Sequence, residues 1–179
     1  MSYFTIPLLC MLAAVVYGVA QDQVTARICL EYFTIGHTPL TNTQSPTLLA
    51  FDIGIRASWW FGLLLGIPLA LCSRLGDWPK LRARDHLVSI MGLFVAAAVI
   101  ATLMGLVGRW AAASEWVWLV EPMASRVPRA RHVDFLTDLW AHTAAYGVGA
   151  VGAMVICVRA VLRRRAAARA SELQLEARS

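Results

Sequence analysis

Charge is the first scarcity in this sequence. Only 15% of its 179 residues are Asp, Glu, Lys or Arg, while 59% are apolar. A water-facing globular domain carries about 25% charged residues, so the composition argues against one. Strict apolar–polar alternation over segments of about ten residues is also missing, which argues against a transmembrane β-barrel. The four cysteines (Cys10, Cys29, Cys72, Cys157) include no C-x-x-C pair. Thiol–disulfide exchange proceeds through a mixed disulfide and a resolving partner, so a dithiol oxidoreductase is disfavoured. There is no H-E-x-x-H, P-loop or dinucleotide fingerprint, and no nucleophile elbow. No acidic residue sits at the centre of an apolar run, which argues against ion-coupled transport.

What is present is four long apolar runs: residues 4–20, 57–73, 87–108 and 139–162. About 20 helical residues cross a bilayer, and in lipid the backbone must satisfy its own polar groups, so these runs are expected to be helices. The fold class is all-α, an integral membrane four-helix bundle of one domain. Residues 163–179 form a basic tail, expected to be cytoplasmic. The net charge of +5 does not imply nucleic acid. The basic residues lie at the ends of runs and in the tail at Arg159, Arg163, Arg164, Arg165 and Arg169. There they meet the bilayer surface and its anionic headgroups.

The sixteen Lys and Arg residues divide unequally between the two sides. The second loop and the tail hold ten of them, and the first and third loops hold six. Positive charge favours the cytoplasmic side. Both termini are therefore expected in the cytoplasm of a cell whose inner membrane holds the chain. Gly18-Val19-Ala20 has the small-residue spacing of a signal-peptide cleavage site, but no basic residue precedes the run, and the helical pattern continues beyond it.

The helices are expected to extend past the membrane on the outer side. Gln23, Arg27 and Glu31 recur every four residues, so the first helix is read as continuous to residue 35, with Gly36 ending it. Pro46 suits the first turn of the next helix, and Pro68 is a candidate kink. Gly62 and Gly66 form a G-x-x-x-G that fits packing within the bundle. Ala145, Gly149 and Ala153 form a second small-residue stripe, suited to close helix packing. His86 reads as an interfacial residue, and Glu115 to Val120 as a segment in the outer interface.

Polar residues gather at the outer ends. Asp22, Arg27, Glu31, His37, Asp52, Arg56, His132, Asp134, Asp138 and His142 all fall there. Unpaired polar groups in lipid are costly, so these side chains should face one another. Two readings stand. In one, they pair locally at four-residue spacing: Arg27 with Glu31, Asp52 with Arg56, Asp138 with His142. In the other, Glu31, His37, Asp138 and His142 hold a divalent metal, as carboxylates and imidazoles do in helix bundles. Zn, Fe or Mn suits that oxygen–nitrogen mixture. Asp22, Arg27, Asp134 and His132 would then support the ligands, with Arg27 orienting Glu31. The leading functional expectation is a structural or accessory membrane protein whose polar cap engages a partner, either another protein or a second copy. The alternative is a metal binder or metal-dependent membrane enzyme.

Asp22-Gln23-Val24-Thr25, then Glu31-Tyr32-Phe33-Thr34, resembles an uncharacterised family of small bacterial four-helix membrane proteins. That family shares a D-Q-[IV]-T … E-Y-F-T pattern after its first helix. The run Phe135-Leu136-Thr137-Asp138-Leu139-Trp140-Ala141-His142 is similar to it as well, so the likeness spans most of the chain. The family often has His before the Asp, where this chain has Gln21, which weakens the metal reading. The resemblance implies a fold and no activity.

Overall fold

The computed structural model describes residues 3–177, and Arg178 of the basic tail lies outside them. Within that range every regular element is a helix, with no strand. Four helices are long and apolar enough to cross a membrane, and they fit a multi-pass membrane protein. They are α1 (Thr5–Ile28), α3 (Pro46–Arg74), α4 (Leu87–Ala113) and α6 (His132–Glu176), with short helices α2 (Leu30–Thr34) and α5 (Met123–Arg126) between them. The large apolar side chains on the outside of the bundle, among them Leu12, Val16, Leu64, Val95, Leu103 and Met154, are exposed. That is the surface lipid requires.

The helices form two antiparallel hairpins. α1 packs along α3, α4 packs along α6, and the hairpins meet mainly through α3 and α6. Glycine sets the closeness of the first pair. A Cβ on Gly62 would lie 2.6 Å from the Cys10 carbonyl oxygen, and one on Gly66 would lie 2.8 Å from Pro7 Cα. The G-x-x-x-G therefore serves packing inside the chain. The Ala145, Gly149, Ala153 stripe lines a cleft between the hairpins, and at Gly149 it also meets α3 closely. Phe61 fills the space beside Gly149, with its ring 2.9 Å from where a Cβ would stand.

Several boundaries follow local chemistry. Ser45 caps α3 by accepting from the Leu48 N–H, and Pro46 takes the first turn, where a missing N–H leaves nothing unpaired. Pro68 lies inside α3 without ending it. α6 continues well past residue 162 to Glu176, because nothing in its Ala-, Arg- and Leu-rich continuation breaks a helix.

The expected continuity of the first helix fails. The first helix is not continuous to residue 35, since Cys29 is extended (φ −138°, ψ 101°) and separates α1 from α2. No Gly or Pro signals this break. It lets α2 turn Phe33 and Tyr32 into a core with Leu49, Ala50, Ile53, Phe135 and Leu136. Burying two aromatic rings is worth a few kcal/mol, more than the one helical turn given up.

The bundle thus has a cap end, where α1 stops and α6 begins, and an opposite base end. At the base end Ile6, Leu69, Ala70, Ile156 and Ala160 form a second core. Arg164, expected among lipid-facing basic residues, is instead 3% exposed there. It donates to the carbonyl oxygens of Pro79 (2.9 Å), Cys72 (2.8 Å), Leu75 (2.8 Å) and Trp78 (3.1 Å). Two of these carbonyls, those of Cys72 and Leu75, close the C-terminal end of α3, where a cation is favoured by the helix dipole. His86, expected at an interface, is buried with its Nε2 2.9 Å from Ser73 Oγ.

Candidate binding cleft at the cap end

Arg131 is the hub of the cap. It immediately precedes α6, and from there its guanidinium donates to Glu31 Oε2 (3.0 Å), the Ile28 carbonyl (2.7 Å) and Asp134 Oδ2. One side chain thereby closes the end of α1, holds α2 and starts α6. Arg109 reaches Asp134 Oδ1 from α4 at 2.6 Å. Burial would raise the Glu31 carboxyl, but its own backbone N–H and the Arg131 guanidinium outweigh that and hold it below the usual glutamate value. Cys29 beside it is fully buried, donates to Glu31 Oε2 at 3.4 Å, and has its thiol pushed up to about 12, mainly by burial.

The local pairs expected from spacing are present in part. Asp52 and Arg56 pair at 3.2 Å. Arg27 does not pair with Glu31: it donates to Gln23 Oε1 (2.9 Å) and Thr47 Oγ1 (2.8 Å), tying α1 to α3. His142 takes the Asp138 backbone oxygen at Nδ1 (2.8 Å), while its Nε2 meets Asp22 Oδ1 at 2.9 Å. Each ring nitrogen thus faces an oxygen. Asp22 is 4% exposed, and this bond joins α1 to α6. Tyr32 stacks on His142 with centroids 4.8 Å apart. Burial, then Asp138 and Asp22, raises the Tyr32 hydroxyl above its usual value, so it stays protonated.

The residues considered as metal ligands are therefore engaged separately. Glu31 belongs to Arg131, and His142 to Asp22. His37 Nδ1 lies 2.9 Å from the Tyr32 carbonyl. His132 Nε2 meets the Val127 carbonyl at 2.9 Å. Among the described residues no three His, Cys, Asp or Glu side chains are grouped to hold a metal ion.

Asp138 is the exception to all this pairing. It is 0% exposed, and neither carboxylate oxygen has a hydrogen-bond partner. The nearby Cys29 N–H is spent on the Thr25 carbonyl at 3.0 Å. Gln21 Oε1 and the Tyr17 hydroxyl are likewise buried without a partner. Native proteins leave few buried polar atoms unpaired, and here three side chains do so in one region.

Two cavities reach that region. The first, of about 140 Å³, is the cleft between the hairpins. Asp22, Tyr32, His37 and His142 line its cap end, and Cys10, Leu69, Ile90 and Ile156 its depth. Along α1, from Asp22 to Cys10, it spans about 18 Å. Between these limits its wall is mainly Ala, Gly, Leu and Phe, with the hydroxyls of Tyr17, Ser58 and Tyr146 among them. The second, about 470 Å³, is a groove between α1 and α4 that Asp138, Gln21 and Tyr17 all line. Tyr17, Gln21 and Phe94 belong to both cavities, and the Tyr17 and Phe94 rings, 5.4 Å apart, form the partition. Neither cavity was visible in the sequence, because each is made by residues far apart in the chain.

Compared with family models, with curated proteins and with solved structures, the chain matches none of them.

Proposed function

We propose that this membrane protein is a non-enzymatic binding protein that holds an amphiphile in the cleft between its hairpins. The observation that carries the reading is the cleft's polarity: charged and aromatic groups at one end, and below them a mainly apolar wall interrupted by the hydroxyls of Tyr17, Ser58 and Tyr146. Such a slot accepts a single hydrocarbon or isoprenoid chain, with its polar head beside the Asp22–His142 pair and His37. Ligand sites of this kind are apolar enclosures with a few placed polar groups. The small residues Ala145, Gly149 and Ala153 keep the slot open along α6.

The distribution of basic residues orients the protein with its base end and both termini in the cytoplasm and its cap outward, in the inner membrane. The ligand then enters from the outer leaflet. The helical continuation of α6 beyond Arg163 carries Arg165 and Arg169 to the anionic headgroups of the inner leaflet.

The test is mass spectrometry of organic extracts from protein purified in mild detergent. Wild type should carry one class of amphiphile at about one per chain, and Ala145→Phe or Ala13→Phe, which fill the slot, should carry little. The reading fails if the filled variants, folded as judged by circular dichroism, carry as much as wild type.

A further inference from the structure

The groove between α1 and α4 is a separate cavity with its own unsatisfied chemistry. Its unpartnered polar atoms are mostly acceptors: two Asp138 oxygens and Gln21 Oε1 accept, and the Tyr17 hydroxyl can accept or donate. What is missing is a donor. The charges around Asp138 say which kind. Glu31 is answered by Arg131, Asp134 by Arg131 and Arg109, and Asp22 by His142. Arg27 is exposed and tied to Gln23 and Thr47 toward α3. Of these four buried or half-buried carboxyl groups, Asp138 alone has no side-chain partner.

We propose that the α1–α4 groove binds a second amphiphile, one whose head is a primary ammonium, and that Asp138 receives that head. A primary ammonium brings one positive charge and three donors, which answers the unpartnered Asp138 carboxyl and reaches acceptors beyond it. Gln21 takes a further hydrogen bond one helical turn deeper than the head. The walls suit the tail: Ala20, Val24, Val95, Ala98, Ala101 and Leu106 line the groove. Its volume of about 470 Å³ falls among ligand sites of about 300–1,000 Å³. A quaternary ammonium carries the charge without a donor, and an alcohol carries a donor without the charge. Neither meets both requirements.

This site does not depend on the occupant of the cleft, and its test is separate. Protein in zwitterionic nanodiscs is titrated with hexadecylamine, hexadecanol and hexadecyltrimethylammonium at matched mole fractions, and binding is read from the shift in Tm. Wild type should bind the primary amine about tenfold more tightly than either analogue, a factor one charge-assisted hydrogen bond supplies. Asp138→Asn should lose that preference. Thr102→Trp, which obstructs the groove without touching Asp138, should lose amine binding as well, so the conclusion does not hang on one variant. Asp52→Asn, at the balanced pair on α3, should behave as wild type. Equal binding of the three probes to wild type, or an unchanged amine preference in Asp138→Asn, would overturn the proposal. Either result would mean that ordered water fills the groove.

Discussion

The two ends of the bundle each bury a charged side chain, and they treat it in opposite ways. At the base end Arg164 has four carbonyl acceptors converging on it and closes the junction of α3 with the following turn. At the cap end Asp138 has none. A buried charge that is fully hydrogen-bonded is part of the scaffold. One left bare costs stability, and a fold keeps it where it serves something other than stability. The contrast separates structure from function without reference to any known protein.

The comparison can be broken most forcefully at its structural side. Arg164→Leu strands four carbonyls in a buried site and should destabilise the protein by about 3–5 kcal/mol, seen as a large loss in Tm in detergent. Asp138→Leu should act in the other direction. It removes an unsatisfied carboxylate, so stability should rise by about 1–3 kcal/mol, with amine binding lost. Should both variants destabilise alike, the distinction between the ends collapses. A smaller effect sharpens the base end: Ser73→Ala removes the partner of His86 Nε2 and should cost about 1 kcal/mol, measured by denaturant titration.

The smallest effect concerns pH. Glu31 has its carboxyl lowered in the fold, so its contribution is present above the unfolded-state value. It is lost as pH falls through the lower, folded-state value. Wild type should therefore lose stability on acidification below the ordinary glutamate value of 4.5. Glu31→Gln should lose less over the same range, by under about 1 kcal/mol, because the pair with Arg131 is partly solvated. An identical acid profile in both proteins would remove Glu31 from the account of the cap.

Which of these features could be read in advance follows from distance along the chain. The four spans, the start of α3 at Pro46 and the Asp52–Arg56 pair were legible, since each is a run, a turn signal or a spacing within one helix. The break at Cys29 was not, because aromatic burial decides it against a local pattern that favours continuation. The Asp22–His142 bond joins residues 120 apart in sequence, and Arg131 finds Glu31 across 100. Periodicity carries no information about either. Arg164 misled for the same reason: within a row of arginines, nothing local distinguishes the one that turns inward. The sequence placed the polar residues at one end correctly, but which of them pair, and which one is left alone, is a tertiary fact.

The most direct measurement is the thermal stability of wild type and Asp138→Leu, side by side in nanodiscs, with and without hexadecylamine. The account predicts that the variant melts higher than wild type when no amine is present, and that only wild type gains from the amine. A variant that melts lower than wild type without amine, or that gains as much from it, would contradict the claim that Asp138 is a binding group kept at the expense of stability.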